Sequence, residues 1–479
     1  MKMASNWKLC ILGATAFTGL FFLAGCSSMS TAAGGTTANQ PGSAPMVITV
    51  SDAPLGNILS AKITLSAIAV APTGGSPVSV LSNPETVELS GLGAMQEPIE
   101  LTSLAPGTYN SVTVTVSAAQ VTYLDPTTGQ PVTASATLSS PSVTVALNPA
   151  LSFTTTSEVD LHLAFNLAQS FAISGSTVTF TPAISTSAAQ VENENNTDRE
   201  VEVTGMVVAI SSTSITVQSG DSGQQFTFAI NGSTLFPSGV TPATIAQNSI
   251  VQVKGQTQSD GTLLALSITP LVAGMMGSGQ QEEGAKGIVV MVARNTAGNL
   301  TSFTMVPQED FGSMMPSAMT LNVLVASSTT YGINEDATQL GLSASMFNAS
   351  EIFPGQAVMV GGAMDSSGNL GATQITLGGE NVAGVLAAAP QASGSNLDFS
   401  LALPVPSFLS SYEKLVTLNA VAGPNTQYGD GFTASSFASL AANTAIQVHG
   451  YLLVDKSGNY LLYAAEIAQP ETPETPEGN

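Results

Sequence analysis

Cys26 is the residue whose type and setting most clearly allow chemistry. It ends the run Leu23-Ala24-Gly25-Cys26, in which two small residues precede a thiol. The run closes an N-terminal segment with a basic start at Lys2 and Lys8 and an apolar stretch over residues 9–23, which is too short to span a bilayer. These parts, in this order, form an export signal. A thiol in this setting is expected to serve for lipid attachment rather than for a disulfide or for catalysis.

The Leu23–Cys26 run resembles the lipobox of bacterial lipoproteins. The resemblance implies cleavage before Cys26, diacylglycerol on its thiol, and acylation of the new amine, for example with palmitate. Two or three acyl chains anchor a protein stably, whereas one holds it only marginally. Ser27, in place of an aspartate, resembles lipoproteins sent to the outer membrane. We therefore expect a signal peptide over residues 1–25, a lipidated flexible tether over residues 26–45, and a lipid-anchored protein of the cell envelope at the outer membrane, on its periplasmic or its surface face.

The mature chain would keep little other reactive chemistry. Cleavage removes Cys10, and the loss of Lys2 and Lys8 takes the formal net charge from −23 to −25. A disulfide, a thiol nucleophile, a cysteine-based zinc site and an iron–sulfur cluster are then excluded, because each needs a free thiolate. The acidic excess repels phosphate backbones, which argues against nucleic acid as a partner. No Gly-x-Ser-x-Gly elbow or glycine-rich phosphate loop occurs, so we expect no catalytic residue, no cofactor and no metal site.

The surface of this protein must be mostly uncharged. Charged residues make up 9% of the chain, well below the ~25% that is usual in globular proteins. Ser, Thr, Gln, Asn and Gly then cover the outside, which suits a protein that faces the exterior of a cell. One hypothesis is that the protein works in acidic surroundings, where many carboxylates would be neutral, and a stability optimum near neutral pH would count against it.

Alternation of apolar and polar residues with period two dominates the chain between its polar breaks. It is clear at residues 47–50, 112–116, 142–145, 214–217 and 226–228. Val, Ile, Thr and Phe at this spacing put one face in a core and the other in water, which predicts half-buried antiparallel strands and an all-β fold. Short helices are expected only at residues 161–171 and 434–442.

An internal repeat predicts how the strands are grouped. The motif Val251-Gln252-Val253-Lys254-Gly255 recurs at residues 357–361 and 446–450, each time followed by a glycine turn and an Ala-x-x-Ile segment. Repeat units of about 70–100 residues are long enough to form separate domains rather than solenoid coils. We predict a β-sandwich over residues 46–188, three small β-barrels in tandem over 200–270, 284–378 and 380–469, and a disordered acidic, Pro-rich tail over 470–479. We expect the four domains to form an extended rod.

Two resemblances agree with this layout. Residues 201–269, with VEVTG, TSITV, VQVKG and DGTLLALSI, resemble the bacterial domain of unknown function 5666, which implies a small OB-like barrel. The N-terminal segment, with VSDAP at 50–54 and LAPGTY at 104–109, resembles domain of unknown function 4382, which is found in bacterial lipoproteins and implies a β-sandwich. Neither family brings an established activity or a set of catalytic residues.

Several aspartates have alternative roles as turn residues or as ligands. Asp52, before Pro54, is expected just after the first strand, where its carboxylate accepts backbone hydrogen bonds, and the alternative is a ligand for calcium or sugar. Asp365 and Asp455 each begin an Asp-x-Ser-Gly-Asn run that resembles part of a calcium loop. Neither run has the later glutamate that would complete coordination, so we interpret both as hairpin turns.

Other candidates are groups without a motif. A glycosidase needs two carboxyls about 5–9 Å apart, and these could come from Glu85, Glu88, Glu97 and Glu100, or from Glu309 and Asp310. Because the mature chain would lack Trp7, sugar platforms would have to come from Tyr109, Tyr123, Tyr331, Tyr428, Tyr451, Tyr460 and Tyr463. His162 and His449 are expected at exposed strand positions. Met275, Met276, Met314 and Met315 could bind soft copper or pack in loops.

The sequence thus favours a non-enzymatic envelope lipoprotein. Its partners are expected to be the membrane, through the lipid on Cys26, and a glycan or an envelope protein that binds the β-domains, or the domains have a structural role. Two alternatives stay open, namely a polysaccharide-acting hydrolase with paired carboxylates and a metal-binding periplasmic module.

Overall fold

The structure, a computed structural model, describes most of the chain after residue 42. The described ranges are 43–53, 57–92, 95–125, 127–153, 158–190, 200–220, 223–271, 283–311, 320–405, 407–429, 432–454 and 458–469.

In the described residues, the N-terminal domain comprises thirteen strands and one short helix. The strands are β1 (Ala44–Ala53), β2 (Ile58–Pro72), β3 (Val78–Ser79), β4 (Glu85–Glu88), β5 (Glu97–Leu104), β6 (Gly107–Leu124), β7 (Pro131–Ser135), β8 (Thr137–Leu138), β9 (Ser142–Phe153), β10 (Val159–Asn166), β11 (Phe171–Ser174), β12 (Thr177–Phe180) and β13 (Ile184–Gln190), and the helix is α1 (Leu167–Ser170). One sheet has the order β13-β10-β1-β5, with β1 and β10 parallel. A second sheet has the order β3-β2-β6-β7, with β4 on β2 and β9 on β6, and β11-β12-β8 form a third.

Strand β6 shows why this sequence forms sheets with one buried face. Val112, Val114 and Val116 point into the core and are at most 1% exposed. Between them, Thr113 and Thr115 point outward and hydrogen-bond hydroxyls of β9. The period-two pattern therefore separates core from surface as predicted.

Three barrels follow the N-terminal domain. Barrel 1 comprises β14 (Glu200–Ile210), β15 (Ser214–Ser219), β16 (Gln225–Ala229), β17 (Ile250–Thr257) and β18 (Leu263–Pro270), with a 3-10 turn at Pro242–Thr244. Barrel 2 comprises β19 (Glu283–Arg294), β20 (Leu300–Phe311), β21 (Leu321–Ile333), β22 (Ala357–Met364) and β23 (Leu370–Leu377), with helix α2 (Glu335–Gln339) and 3-10 turns at Ala344–Met346 and Ala349–Glu351. Barrel 3 comprises β24 (Glu380–Leu386), β25 (Gln391–Ser393), β26 (Asn396–Ala402), β27 (Thr417–Tyr428), β28 (Ala445–Val454) and β29 (Tyr460–Ala468), with helices α3 (Phe408–Tyr412) and α4 (Ala434–Ala438).

The three barrels share one topology. Barrels 1 and 2 close in the orders β14-β15-β16-β18-β17 and β19-β20-β21-β23-β22. Barrel 3 repeats this ring as β24-β26-β27-β29-β28, closed by a short β24–β26 pairing, with β25 added beside β26. The prediction of an all-β chain with a sandwich and barrel repeats is confirmed.

The two expected helices are shorter than the sequence suggested. Residues 161–166 belong to β10, which pairs with β1 on one side and β13 on the other, so only Leu167–Ser170 are helical. Pairing on both edges outweighs the local helix preference of this segment. In the second case the helix ends at Ala438, four residues early.

The expectation of an extended rod is wrong. Barrel 3 contacts the N-terminal domain, where Asn381 Nδ2 donates to Gly91 O at 3.1 Å. Barrel 2 does so as well, because Gln308 Nε2 donates to Leu59 O at 3.1 Å. Leu59 also belongs to one apolar cluster with residues of barrels 2 and 3. A repeat pattern shows which face of each strand is buried, but it does not show what covers the outside of each barrel.

Candidate functional site

Some predicted residues lie outside the described part of the chain. These are the lipobox residues Leu23, Ala24, Gly25 and Cys26, and the methionines Met275, Met276, Met314 and Met315. Lipid attachment at Cys26 and a methionine site therefore stay predictions.

The aspartates divide into one strand residue and one turn residue. Asp52 is buried within β1, in register with Phe165, so its expected position after the strand is wrong; parallel pairing with β10 continues the strand to Ala53. Asp365 does cap a turn, since its Oδ1 accepts from the amides of Ser367 at 2.8 Å and Asn369 at 2.9 Å. These bonds, with one from the Asn369 side chain, lower the pKa of Asp365. Asp455 is not among the described residues.

Four candidate carboxylates are buried and hydrogen-bonded, namely Glu85, Glu88, Glu97 and Glu100. Glu88 accepts from the Ala61 amide at 2.8 Å and from Ser60 Oγ at 2.5 Å. Burial raises the pKa of Glu85, Glu88 and Glu100. Glu85 accepts from Gln224, and Ser219 donates to Glu97, so these two carboxyls join the sandwich to barrel 1. These hydrogen bonds indicate a structural role for the four carboxyls.

Glu309 belongs to a buried polar cluster between the barrels, here called the junction cluster (Lys286, Glu309, Glu202, Gln252, Asn334 and Tyr451). Lys286 Nζ lies 3.0 Å from Glu309 Oε1 and 3.6 Å from Glu202 Oε1. Gln252 Nε2 donates to Glu202 at 2.6 Å, and Asn334 Nδ2 contacts both Gln252 Oε1 and Tyr451 OH. Because these residues come from all three barrels, the cluster joins them into one unit. The side chain of Asp310 is not described.

Both histidines are part-buried, so the expectation that they are exposed is wrong. His162 contacts Thr49 Oγ1 at 3.0 Å and Ser51 Oγ at 2.9 Å. His449 Nδ1 lies 2.8 Å from Asn381 Oδ1, the side chain that reaches the N-terminal domain. Burial lowers the pKa of each to about 4, so both are neutral at physiological pH. His162 forms hydrogen bonds within the β1–β10 sheet, and His449 supports the side chain that joins barrel 3 to the N-terminal domain.

A groove of about 680 Å³ lies at the meeting of barrels 2 and 3 and is here called the barrel groove. Barrel 2 contributes apolar side chains from β19 and from the segment after Ala349–Glu351, barrel 3 contributes α3 and the β28–β29 hairpin, and the N-terminal domain contributes Gln130. Its lining includes Met291, Val292, Arg294, Glu351, Phe353, Glu413, Val454 and Tyr460. Ligand sites typically lie at such domain interfaces, with volumes of about 300–1,000 Å³.

At one end of the barrel groove, an aromatic pair lies beside a carboxylate. The rings of Phe353 and Tyr460 meet edge to face, with centroids 4.8 Å apart. The Tyr460 hydroxyl donates to Glu413, which caps α3. Burial, followed by this carboxylate, raises the pKa of Tyr460, so the hydroxyl stays protonated and the ring stays fixed.

Arg294 shapes the rim of the groove. Its guanidinium donates to the carbonyl oxygens of Ala349 at 3.0 Å and Ile352 at 2.9 Å, with longer contacts to Gly298 and Ser350. These bonds hold the 3-10 turn that carries Glu351. The sequence holds only two arginines. This scarcity was the available sign in the sequence that Arg294 has a specific structural role. Sequence reasoning missed Glu351, Glu413 and Arg294, because no local motif links them.

Of the predicted tyrosines, Tyr460 lines the barrel groove. Tyr109 and Tyr123 donate to main-chain carbonyls within the sandwich, and Tyr451 is buried in the junction cluster. Across the described ranges, no three His, Cys, Asp or Glu side chains are grouped so as to hold a metal. In the same part of the chain, no helix has the length and apolarity that crossing a membrane requires.

Comparisons with known proteins give family matches and weak structural likenesses. No curated protein matches the chain. Drosophila Unr CSD456 is similar at 12% identity over 57% of this chain and 98% of that chain, with a TM-score of 0.14. A multidomain protein with nucleic acid binding domains from Streptococcus pneumoniae is similar at 9% identity over 57% of this chain and 74% of that one, with a TM-score of 0.12. At these scores neither likeness bears on the fold or ligands of this chain.

The family matches fall on two of the four domains. Residues 43–182, which cover most of the sandwich, match "Domain of unknown function (DUF4382)". Residues 204–269, which lie within barrel 1, match "Domain of unknown function (DUF5666)". Both predicted domain resemblances are confirmed over these residues.

Proposed function

We propose that this chain is a non-enzymatic, lipid-anchored protein of the bacterial cell envelope whose joined β-domains present a binding site to a glycan or an envelope protein. The barrel groove is the observation that carries the binding role, because two barrels and the sandwich build it together. The Leu23–Cys26 run supports the anchor. The anchor is at the outer membrane in this proposal.

A second candidate, a hydrolase acting on polysaccharide, is favoured by one feature of the same groove. Glu351 and Glu413 both line it, together with Phe353 and Tyr460. Two carboxyls beside aromatic rings are the parts that a glycosidase needs. Glu413, however, already accepts the Tyr460 hydroxyl, and we therefore favour binding over hydrolysis.

Replacing Cys26 with alanine tests the anchor. In cells fed an alkyne analogue of palmitate, the wild-type protein should be labelled and found with membranes, whereas Cys26→Ala should lose the label and leave the membrane fraction. Cys10→Ala is the matched control, because Cys10 would be removed with the signal peptide, and it should be labelled normally. Labelling of Cys26→Ala, or none of the wild-type protein, would refute the proposed anchor.

A buried carboxyl in barrel 3 predicts the pH dependence of stability. Glu380 accepts a hydrogen bond from the Ala357 amide at 2.9 Å, and burial raises its pKa from 4.5, the ordinary value of a glutamate, to about 8. The folded state then holds a proton that the unfolded state loses, so the stabilising contribution is full below pH 4.5 and is lost as pH rises to about 8. The raised pKa values of Glu85, Glu88 and Glu100 act in the same direction. The lowered pKa values of His162 and His449 act in the opposite direction, because their unfolded forms bind protons first as pH falls.

The Glu380→Gln variant measures this contribution. Urea unfolding at pH 5 and pH 8 should show a pH dependence at least about 1 kcal/mol smaller than in the wild-type protein, since one pKa unit corresponds to about 1.4 kcal/mol. Asp365→Asn is the control. The pKa of Asp365 is lowered, so its contribution to the pH dependence of stability lies at a pH below the tested range. An unchanged pH dependence in Glu380→Gln would contradict the prediction.

A further inference from the structure

We propose that the barrel groove binds a neutral glycan, a ligand class that rests on the proposed binding function of this groove. The apolar surface, the charges and the size of the groove support this ligand class.

The apolar surface suits the C–H face of a sugar ring. The Tyr460 ring forms part of this surface, and Phe353, which is buried, meets it at an interplanar angle of 70° and fixes its orientation. Met291 extends this surface with a side chain that is 60% exposed, and Val292 and Val454 also line it. An aromatic ring with a polar tip offers both apolar contact and a hydrogen bond, as a polyhydroxylated ring requires.

The charges select against acidic ligands. Glu351 and Glu413 place two carboxylates in the groove, and carboxylates accept hydrogen bonds from hydroxyl groups. Arg294 could attract an anion, but its guanidinium donates to main-chain carbonyls that hold the rim. With a formal net charge of −23 on the whole chain, an acidic polysaccharide would be repelled. A neutral ligand rich in hydroxyl groups fits this environment.

The size of the groove favours a short glycan segment over a protein surface. A volume of about 680 Å³ lies in the range of small-ligand sites. Specific protein partners bury about 1,200–2,000 Å² and rely on several apolar anchors. In the groove, Met291 is the prominent exposed apolar side chain among the described residues. We therefore place a sugar chain there.

The test uses the full-length mature protein in detergent micelles and isothermal titration calorimetry. The probes are the neutral hexasaccharides cellohexaose, maltohexaose and chitohexaose, and the acidic hexagalacturonate. At least one neutral probe should bind, and hexagalacturonate should bind at least about tenfold more weakly. Tyr460→Ala should weaken neutral binding by about tenfold or more, and Tyr460→Phe by less, because it keeps the ring and loses the hydroxyl.

A second pair of variants distinguishes a lost contact with the ligand from misfolding of the protein. Met291→Ala and Met346→Ala both truncate exposed methionines of barrel 2, at 60% and 42% exposure, and Met346 does not line the barrel groove. Only Met291→Ala should weaken binding, by about threefold.

Three outcomes would overturn the proposal. These are no binding by any neutral probe, stronger binding of hexagalacturonate, and binding that neither Tyr460→Ala nor Met291→Ala changes. Shortened sugars after incubation would support the glycan site while refuting the non-enzymatic function. Loss of Cys26 labelling bears on the anchor alone, so failure of the anchor and failure of the glycan site remain distinguishable.

Discussion

Replacing Lys286 with methionine is expected to lower the free energy of unfolding by about 3 kcal/mol. The ammonium is buried, 3.0 Å from Glu309 and 3.6 Å from Glu202, and the residue is 6% exposed. Burial disfavours its charged form, but the two carboxylates outweigh this effect and raise the pKa of Lys286. Without the cation, these carboxylates stay buried with no opposite charge. The urea midpoint at pH 7 measures the loss.

Two further variants make the test specific. Lys414→Met truncates an exposed lysine and should change the stability by less than about 0.5 kcal/mol. The double variant Lys286→Met/Glu309→Gln should lose less than the sum of the single variants, because neutralising Glu309 removes one of the stranded charges. A loss below about 1 kcal/mol in Lys286→Met would show that the junction cluster does not hold the barrels together.

Gly205→Ala should be nearly as damaging, with a loss of about 3 kcal/mol. A Cβ atom at Gly205 would lie 2.0 Å from the carbonyl oxygen of Gln218, and this main-chain atom cannot rotate away. The same contact recurs in barrel 2, where a Cβ at Gly287 would lie 2.1 Å from Val306 O. The first strand of each of these barrels therefore crosses its neighbour at a point that has no room for a side chain.

Gly232→Ala is the matched control in the same barrel. Nothing lies within 4 Å of a Cβ atom at Gly232, so this variant should unfold within about 0.5 kcal/mol of the wild-type protein. Thermal unfolding followed by circular dichroism compares the three proteins. Equal stability of Gly205→Ala and Gly232→Ala would contradict the crossing geometry.

The barrels could be predicted from sequence because their strongest constraints are local. The alternation of apolar and polar residues predicted the strands. The glycine that ends each copy of the repeated motif marks a close approach in barrel 3 as well, since a Cβ at Gly450 would lie 2.3 Å from Tyr463 O. The Asp365 turn was equally local, because its acceptors and donors lie within four residues.

The polar interior could not be predicted in this way. Lys286 and Glu202 are distant in sequence, and only the packing of barrel 2 on barrel 1 brings them together. The barrel groove has the same origin, because Met291, Glu351, Glu413 and Tyr460 come from four separate segments. The low fraction of charged residues did not indicate that Glu88 and Glu380 are buried with specific hydrogen-bond donors.

The bond between Asn381 and Gly91 joins residues that are 290 positions apart. At about 5–20 residues per second, a ribosome needs about 15–60 s to progress from one to the other. During that time the sandwich has no barrel 3 to cover Leu59 and Leu124, which end in a shared apolar cluster. The N-terminal half must therefore remain soluble while this apolar patch lacks part of its cover, and a chain that stops before barrel 3 would leave the cover incomplete.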